Sequence, residues 1–306
     1  MKGLKNNIIF RYIWKKIRLS RILKEHKQTA NLVSPYIKAY FDEEMQEYPL
    51  IPKKDLSIYS HKIIWQYWGQ GLTDLPEIIE ICFNSVDYYK GDYVVIRLSD
   101  KTVTDYIDIP EHIKLRVEQG QMTKTFFSDW LRLALLITYG GLWLDATTYL
   151  SGPIMDFDKN SEFFMFQRSN KEQHKMMWEN IYAYYWNWSS SFKVKCLNSI
   201  IWGKKGCKLL VALYEILTKW WEGNDSLPNY FFFQILFNEI IKQKPTMNCP
   251  IVSDCIPHRL QMKINHPHLN LSFEETFKLT SIHKMTYFSE EKLEELKNIL
   301  ADYAHE

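Results

Sequence analysis

FSDWLRLALLITYGGLWLDAT, residues 127–147, changes its hydrophobic period half-way along. Before Tyr139, the residues Trp130, Leu131, Leu133, Leu135 and Leu136 fall mostly on the buried side of a helix. Ser128 or Thr125 is the candidate cap. Gly140 lacks a Cβ and suits the left-handed residue that ends a helix. Gly141 then lets the chain turn tightly into LWLDA, a short apolar run that reads as a buried strand. A helix feeding such a strand is the repeating unit of an α/β domain.

Asp145 breaks that run at its carboxyl end. Aspartate is depleted in strands, and a carboxylate removed from water needs a partner. In open α/β sheets, ligands bind beyond the carboxyl ends of the strands. Asp145 is therefore placed to hold a hard divalent cation with a phosphate. It equally caps the next segment through Thr147 or Thr148, or pairs with Arg132, and spacing leaves these alternatives open. Asp129 and Arg132 are three residues apart on one helix face.

Outward from this block, KIIWQYW (residues 62–68) is β-branched and aromatic and stops at GQG, so it reads as strand then loop. Trp68, just before the glycines, is placed to stack on a nucleobase, and Gly69 and Gly71 let the backbone approach a ligand. The competing reading puts both Trp65 and Trp68 in the core. Residues 75–90 are helical in period, YVVIRL (93–98) reads as a second strand, and a short helical element lies near 110–117. The region 61–150 thus alternates strand and helix, which predicts an α/β fold with a largely parallel sheet. FFMFQ (163–167) is a further candidate strand. From 171 to 245 the period is mainly helical, with helices around 206–221 and 230–243. A short strand near 280–283 and an acidic helix over 289–304 close the chain. The expected division is a basic helical region (1–60), a catalytic domain (61–288) and a C-terminal helix (289–306).

Composition limits the function classes. The 306 residues are 46% hydrophobic, enough for a sizeable core. Net charge is only +2, so the chain does not read as a nucleic-acid binder. Aromatic residues make up 15%, which suits a dense core or a site that stacks on bases and sugars. Five cysteines with no CxxC pair argue against a disulfide framework or zinc site, and fit a reducing compartment. No apolar run is long enough to span a bilayer. Between Met1 and Gln28, nine Lys or Arg accompany one acid, Glu25. Phe10, Ile13, Trp14 and Ile17 repeat there at helical spacing, with Arg11, Lys15 and Arg18 on another face. A basic amphipathic helix of this kind lies on an anionic membrane surface, or packs on its own domain.

Three segments together carry a resemblance: KIIWQYWGQG, then FSDWLRLALLITYGGLWLDAT, then SIHKMTY near the end. They resemble the bacterial capsular polysaccharide synthesis glycosyltransferases, within the wider group of sugar transferases with a DXD motif. The resemblance covers roughly residues 60–290. It implies a GT-A fold, with a Rossmann-like nucleotide-binding sheet and a helical acceptor-side part. It also implies a nucleotide-sugar donor, usually a UDP-sugar, transferred with retention of configuration. Nucleotide-sugar contacts are then expected from Trp65, Trp68, Gly69, Asp129, Arg132, Gly141, His283 and Lys284. Asp145 would be the first DXD carboxylate and would bind Mn²⁺ or Mg²⁺ with the diphosphate, helped by His283. Asp145, Arg132 and Asp129 would be the catalytic set. The motif departs from the pattern in reading Asp145-Ala146-Thr147, with a hydroxyl in the third position.

The expected acceptor is a lipid-linked oligosaccharide, and the expected location is cytoplasmic, on the inner face of the plasma membrane. A non-catalytic glycan-binding or scaffold protein with the same fold is the alternative, supported by the missing second carboxylate. A metal-dependent phosphohydrolase would want clustered carboxylates or histidines, which the chain does not show. No general base stands out, and Asp225, Asp254 and Glu239 cannot be ranked. NYFFFQILFNEI (229–240) reads as a buried helix or as the acceptor-site lining.

Overall fold

The computed structural model describes residues 2–157 and 161–303, and side chains from residue 12 onward together with Phe10. The basic side chains of Lys2, Lys5 and Arg11, and the last residues of the C-terminal helical region, lie outside the described residues.

The alternation expected over 61–150 is present. Strand β1 (Ile63–Tyr67) leads to helix α2 (Glu77–Tyr89) and strand β2 (Val94–Leu98). Helices α3 (Glu111–Glu118) and α4 (Lys124–Tyr139) then feed β3 (Gly141–Leu144). Strand β1 is parallel to both β2 and β3, with Trp65 opposite Ile96 and Trp143. Period two along these strands sorts the side chains. Ile63, Trp65, Tyr67 and Trp143 join one core, whereas Ile64, Leu142 and Leu144 join the other.

The rest of the sheet brings in one reversed strand. Strand β5 (Phe163–Gln167) was legible, but β6 (Cys196–Gly203) lies inside the stretch that reads as helical. The sheet order is β2-β1-β3-β6-β5, and β6 runs antiparallel to both neighbours. The sheet is therefore mixed: β1, β2, β3 and β5 point one way, in keeping with the parallel arrangement expected over 61–150, and β6 alone is reversed. A second ribbon pairs β4 (Thr148–Leu150) with β7 (Ile282–Lys284), setting Thr148 opposite Lys284.

Helices α6 (Lys208–Gly223) and α7 (Phe232–Gln243) pack with α4 on one face of the sheet. They are joined there by the second half of α1 (Lys2–Phe41), whose Val33 and Ile37 share the core of Trp65. The first half of α1 is different: Phe10, Ile13, Trp14 and Ile17 are all exposed. Lys15 reaches the body through the Asn180 side chain at 2.6 Å. Short helices α5 (Lys175–Ile181), α8 (Arg259–Asn265) and α9 (Phe273–Leu279), and α10 (Glu290–Tyr303), complete the chain. All five cysteines are buried and free. Among the described residues, no helix is long and apolar enough to cross a membrane.

Candidate active site

Helix α4 is capped two residues before Thr125 and five before Ser128, the two expected caps. Thr123 is the N-cap, accepting from the Phe126 N–H. Ser128 is thus free inside the helix, where its hydroxyl accepts from Arg132 Nη2 at 2.9 Å. Gly140 ends α4, with φ +75° and ψ −173°, a positive-φ conformation open to glycine but not the left-handed helical cap expected. Gly141 has φ +109°, and a Cβ there would come within 2.4 Å of the Ile63 carbonyl oxygen. Its role is the close approach of β3 to β1, not the expected ligand contact.

This geometry delivers Asp145 to the carboxyl end of β3, beside a cavity of about 590 Å³. The cavity is also lined by Trp68, Gly69, Lys124, Ser128, Asp129, Arg132, Thr147 and Lys284. Trp68 is half-buried, with its backbone N–H donating to the Leu98 carbonyl at the end of the parallel pair. Trp65 is elsewhere. It is fully buried, donates from its indole to the Gly140 carbonyl at 2.9 Å, and packs on Tyr139. The expected nucleotide contact from Trp65 is therefore corrected to a core role, since three positions along a strand reverse the face.

At the centre, one guanidinium holds two carboxylates. Arg132 Nη2 lies 3.1 Å from Asp129 Oδ1 and 3.4 Å from Asp145 Oδ1. Its other donors go to the Ser128 carbonyl at 3.0 Å and the Asn198 carbonyl at 2.5 Å, and its plane lies near the Trp143 ring. The guanidinium is thus a fixed positioning group as much as a ligand contact. Pairing with Arg132, one of the open readings of Asp145, is realised. Burial lifts the Asp129 carboxyl to about 6, against the pull of Arg132 and with the push of Asp145. It remains mostly ionised at neutral pH. The Asn198 amide donates to Asp129 Oδ1 at 2.8 Å and is itself held by Gln234.

Asp145 Oδ1 also accepts from the Trp143 indole at 2.8 Å, while Oδ2 faces Lys284 Nζ at 3.3 Å. The same ammonium donates to Thr147 Oγ1 at 2.5 Å. His283, next to Lys284, points the opposite way. It is fully buried against Phe277 and Tyr149, and its Nε2 pairs with Ser151. Burial pushes its imidazole down to about 3. The expected diphosphate and metal contacts from His283 are corrected to a packing role.

Residues 12–303 match a family described as Capsular polysaccharide synthesis protein. The chain belongs to that family. It is also 30% identical over 108 residues to the O-glycosyltransferase braB of Annulohypoxylon truncatum, covering 32% of this chain and 26% of that protein. This chain therefore spans about a quarter of that relative. A solved structure titled PaToxG Glycosyltransferase aligns over 95% of this chain and 97% of its own, at 13% identity and a TM-score of 0.37. At that distance it bears on neither fold detail nor chemistry.

In this member of the family the donor set does not fit a protein-held divalent cation. Mg²⁺ takes near-octahedral oxygens at about 2.0–2.1 Å. Asp145 already has an indole and a guanidinium on one oxygen and an ammonium on the other. The Thr147 hydroxyl is taken by that same ammonium. Among the described residues, no three His, Cys, Asp or Glu converge as metal ligands.

Several lining residues carried no sequence signal. Asn198 stands in the unrecognised strand β6, and its partner Asp129 is far away in the chain. His258 lines the cavity with Nδ1 against the Asp254 carbonyl at 2.7 Å. A carbonyl only accepts, so Nδ1 carries the proton and Nε2 is an acceptor; burial lowers this imidazole to about 4. Tyr230, Phe231 and Gln234 from the NYFFFQ stretch reach the cavity, while Phe232 and Phe233 are core. The three carboxylates left unranked are not lining residues. Asp254 is buried on Arg168, Glu239 pairs with Lys193, and Asp225 pairs with Arg116.

Proposed function

We propose that the protein is a retaining glycosyltransferase, a hexosyltransferase of GT-A type. Its donor is a nucleotide sugar, most naturally a UDP-sugar, and its product is an extended capsular or cell-surface polysaccharide repeat unit. The observation that carries this reading is the convergence of Trp68, the Asp129–Arg132–Asp145 cluster and Lys284 on one cavity beyond the ends of β1 and β3. Family membership and the printed name of the curated relative support transferase chemistry.

In this reading the base stacks on Trp68, and Gly69 lets the backbone come close. The diphosphate lies toward Lys284, and the sugar lies against Asp129, Asn198 and Asp145. Both cavity-lining carboxylates are engaged in ion pairs. Neither is free to take the acceptor proton, which favours front-face attack with the donor phosphate as proton acceptor. Tyr182, Tyr230 and Phe231 supply flat apolar surface for an acceptor glycan. The acceptor is a lipid-linked oligosaccharide, and the exposed face of α1 rests on the inner membrane surface.

Calorimetry with a panel of nucleotide sugars tests the donor site. Binding by the wild type, weakened about five- to hundredfold in Trp68→Ala, is expected from the loss of one base–aromatic stack. A protein that binds none of the panel is a scaffold, not a transferase.

A further inference from the structure

We infer that Lys284 is the resident cation of the site, and that sugar transfer proceeds without a divalent metal. This rests on the nucleotide-sugar reading. The β4–β7 ribbon sets Thr148 opposite Lys284, and the Met285 N–H donates to the Thr147 carbonyl at 2.8 Å. That register delivers the ammonium between Thr147 Oγ1 at 2.5 Å and Asp145 Oδ2 at 3.3 Å. Those two side chains are the first and third positions of Asp145-Ala146-Thr147. In an Asp-x-Asp pair the same two positions would share a metal ion.

Charge arithmetic supports the exchange. A divalent ion suits two carboxylates, whereas a single ammonium suits one carboxylate and a hydroxyl. Asp129 and Asp145 supply two negative charges, and Arg132 and Lys284 two positive ones. The cluster is already compensated, and a metal ion seated there would lie in contact with an ammonium of like sign. The diphosphate brings its own negative charge, for which Lys284 is a point-charge partner on the cavity wall. Its side chain keeps 20% exposure and lines the cavity.

The step balances without a metal. The bond between the anomeric carbon and the β-phosphate oxygen breaks, and its electron pair stays on the phosphate. The acceptor hydroxyl oxygen bonds to that carbon on the same face, and its proton passes to the departing phosphate oxygen. Lys284 stabilises the charge that develops there.

The test uses the full chain stripped with EDTA, with metal content verified. UDP and nucleotide-sugar binding is measured by calorimetry, and transfer by radiolabel, in EDTA and then in Mn²⁺ or Mg²⁺. Wild-type binding and transfer are expected to be the same in both. Lys284→Ala is expected to bind about ten- to hundredfold more weakly in EDTA, with part of the loss restored by Mn²⁺ once Asp145 and Thr147 are vacated. The double variant Thr147→Asp, Lys284→Ala is expected to depend on metal. Lys284→Gln, which keeps a donor without the charge, repeats the metal-free loss if the charge matters, and thermal melts confirm that each variant is folded. Wild-type binding or transfer that requires metal overturns the inference and leaves the donor reading standing. So does a Lys284→Ala protein that binds like wild type in EDTA. Absence of nucleotide-sugar binding in either buffer removes the donor reading and the inference with it.

Discussion

Asp145 is held by three donors, from Trp143, Arg132 and Lys284, yet a quarter of its side chain stays open to the cavity. Arg132 cannot be exchanged for lysine without loss, because one planar group satisfies Asp129, Asp145, Ser128 and Asn198 together. Arg132→Lys is expected to lower transfer at least about tenfold with little change in fold, read by kinetics beside a thermal melt. Asp129 adds a pH signature. Its carboxyl sits near 6 in the folded chain, against about 3.9 unfolded. Because the folded value is raised, its contribution to stability is complete below about 4 and is lost as pH rises through about 6. On the proposed donor reading, affinity runs the other way, since protonation near 6 uncouples Arg132. A titration of affinity should therefore fall on the acid side around pH 6 while stability does not, and Asp129→Asn should flatten that limb. An affinity profile unchanged by Asp129→Asn would contradict the coupling.

The helix–strand unit of α4 and β3 was legible because each half obeys one period, and the glycines between them mark the change. Gly141→Ala is expected to cost about 3 kcal/mol or more, read by denaturant unfolding, because its Cβ would meet the Ile63 carbonyl at a positive φ. Strand β6 was not legible. Asn198 and Ser199 interrupt its apolar run, and they do so because they serve the site and the ladder: Asn198 binds Asp129, and the Ser199 carbonyl accepts from the Asp145 N–H. The sorting of Trp65 from Trp68, and of His283 from Lys284, did have a signal. In a strand, neighbours and residues three apart face opposite ways, so only one of each pair reaches the cavity. Helix α6 carries a different load. Burial lifts the Glu215 carboxyl to about 7, although the Tyr48 N–H donates to it. Stability from this group is complete below about 4.5 and is lost as pH rises through about 7. Glu215→Gln keeps the acceptor for Tyr48 and should stabilise the protein at pH 8 by up to about 3 kcal/mol. The melting temperature of the variant should change less between pH 5 and pH 8 than that of the wild type.

At the scale of the whole molecule, the two halves of α1 behave differently. Its second half completes the core around Trp65, while Phe10, Ile13, Trp14 and Ile17 face outward near a run of basic residues. On the proposed membrane reading, the protein should float with vesicles containing anionic phospholipid, less so at high salt. The pair Trp14→Ala, Ile17→Ala should weaken that binding about tenfold or more by removing apolar area. Equal flotation by the variant would place the contact elsewhere. On the proposed reading, the cavity, the cluster and the ribbon carrying Lys284 serve one act, transfer of a sugar from a nucleotide. Its most direct measurement is radiolabelled sugar passing from a nucleotide-sugar panel to a membrane lipid acceptor, with wild type and a folded Asp145→Ala protein side by side. Transfer by the wild type, reduced about a hundredfold or more in Asp145→Ala, is the predicted result. No transfer from any donor, or equal transfer by the two proteins, would contradict it.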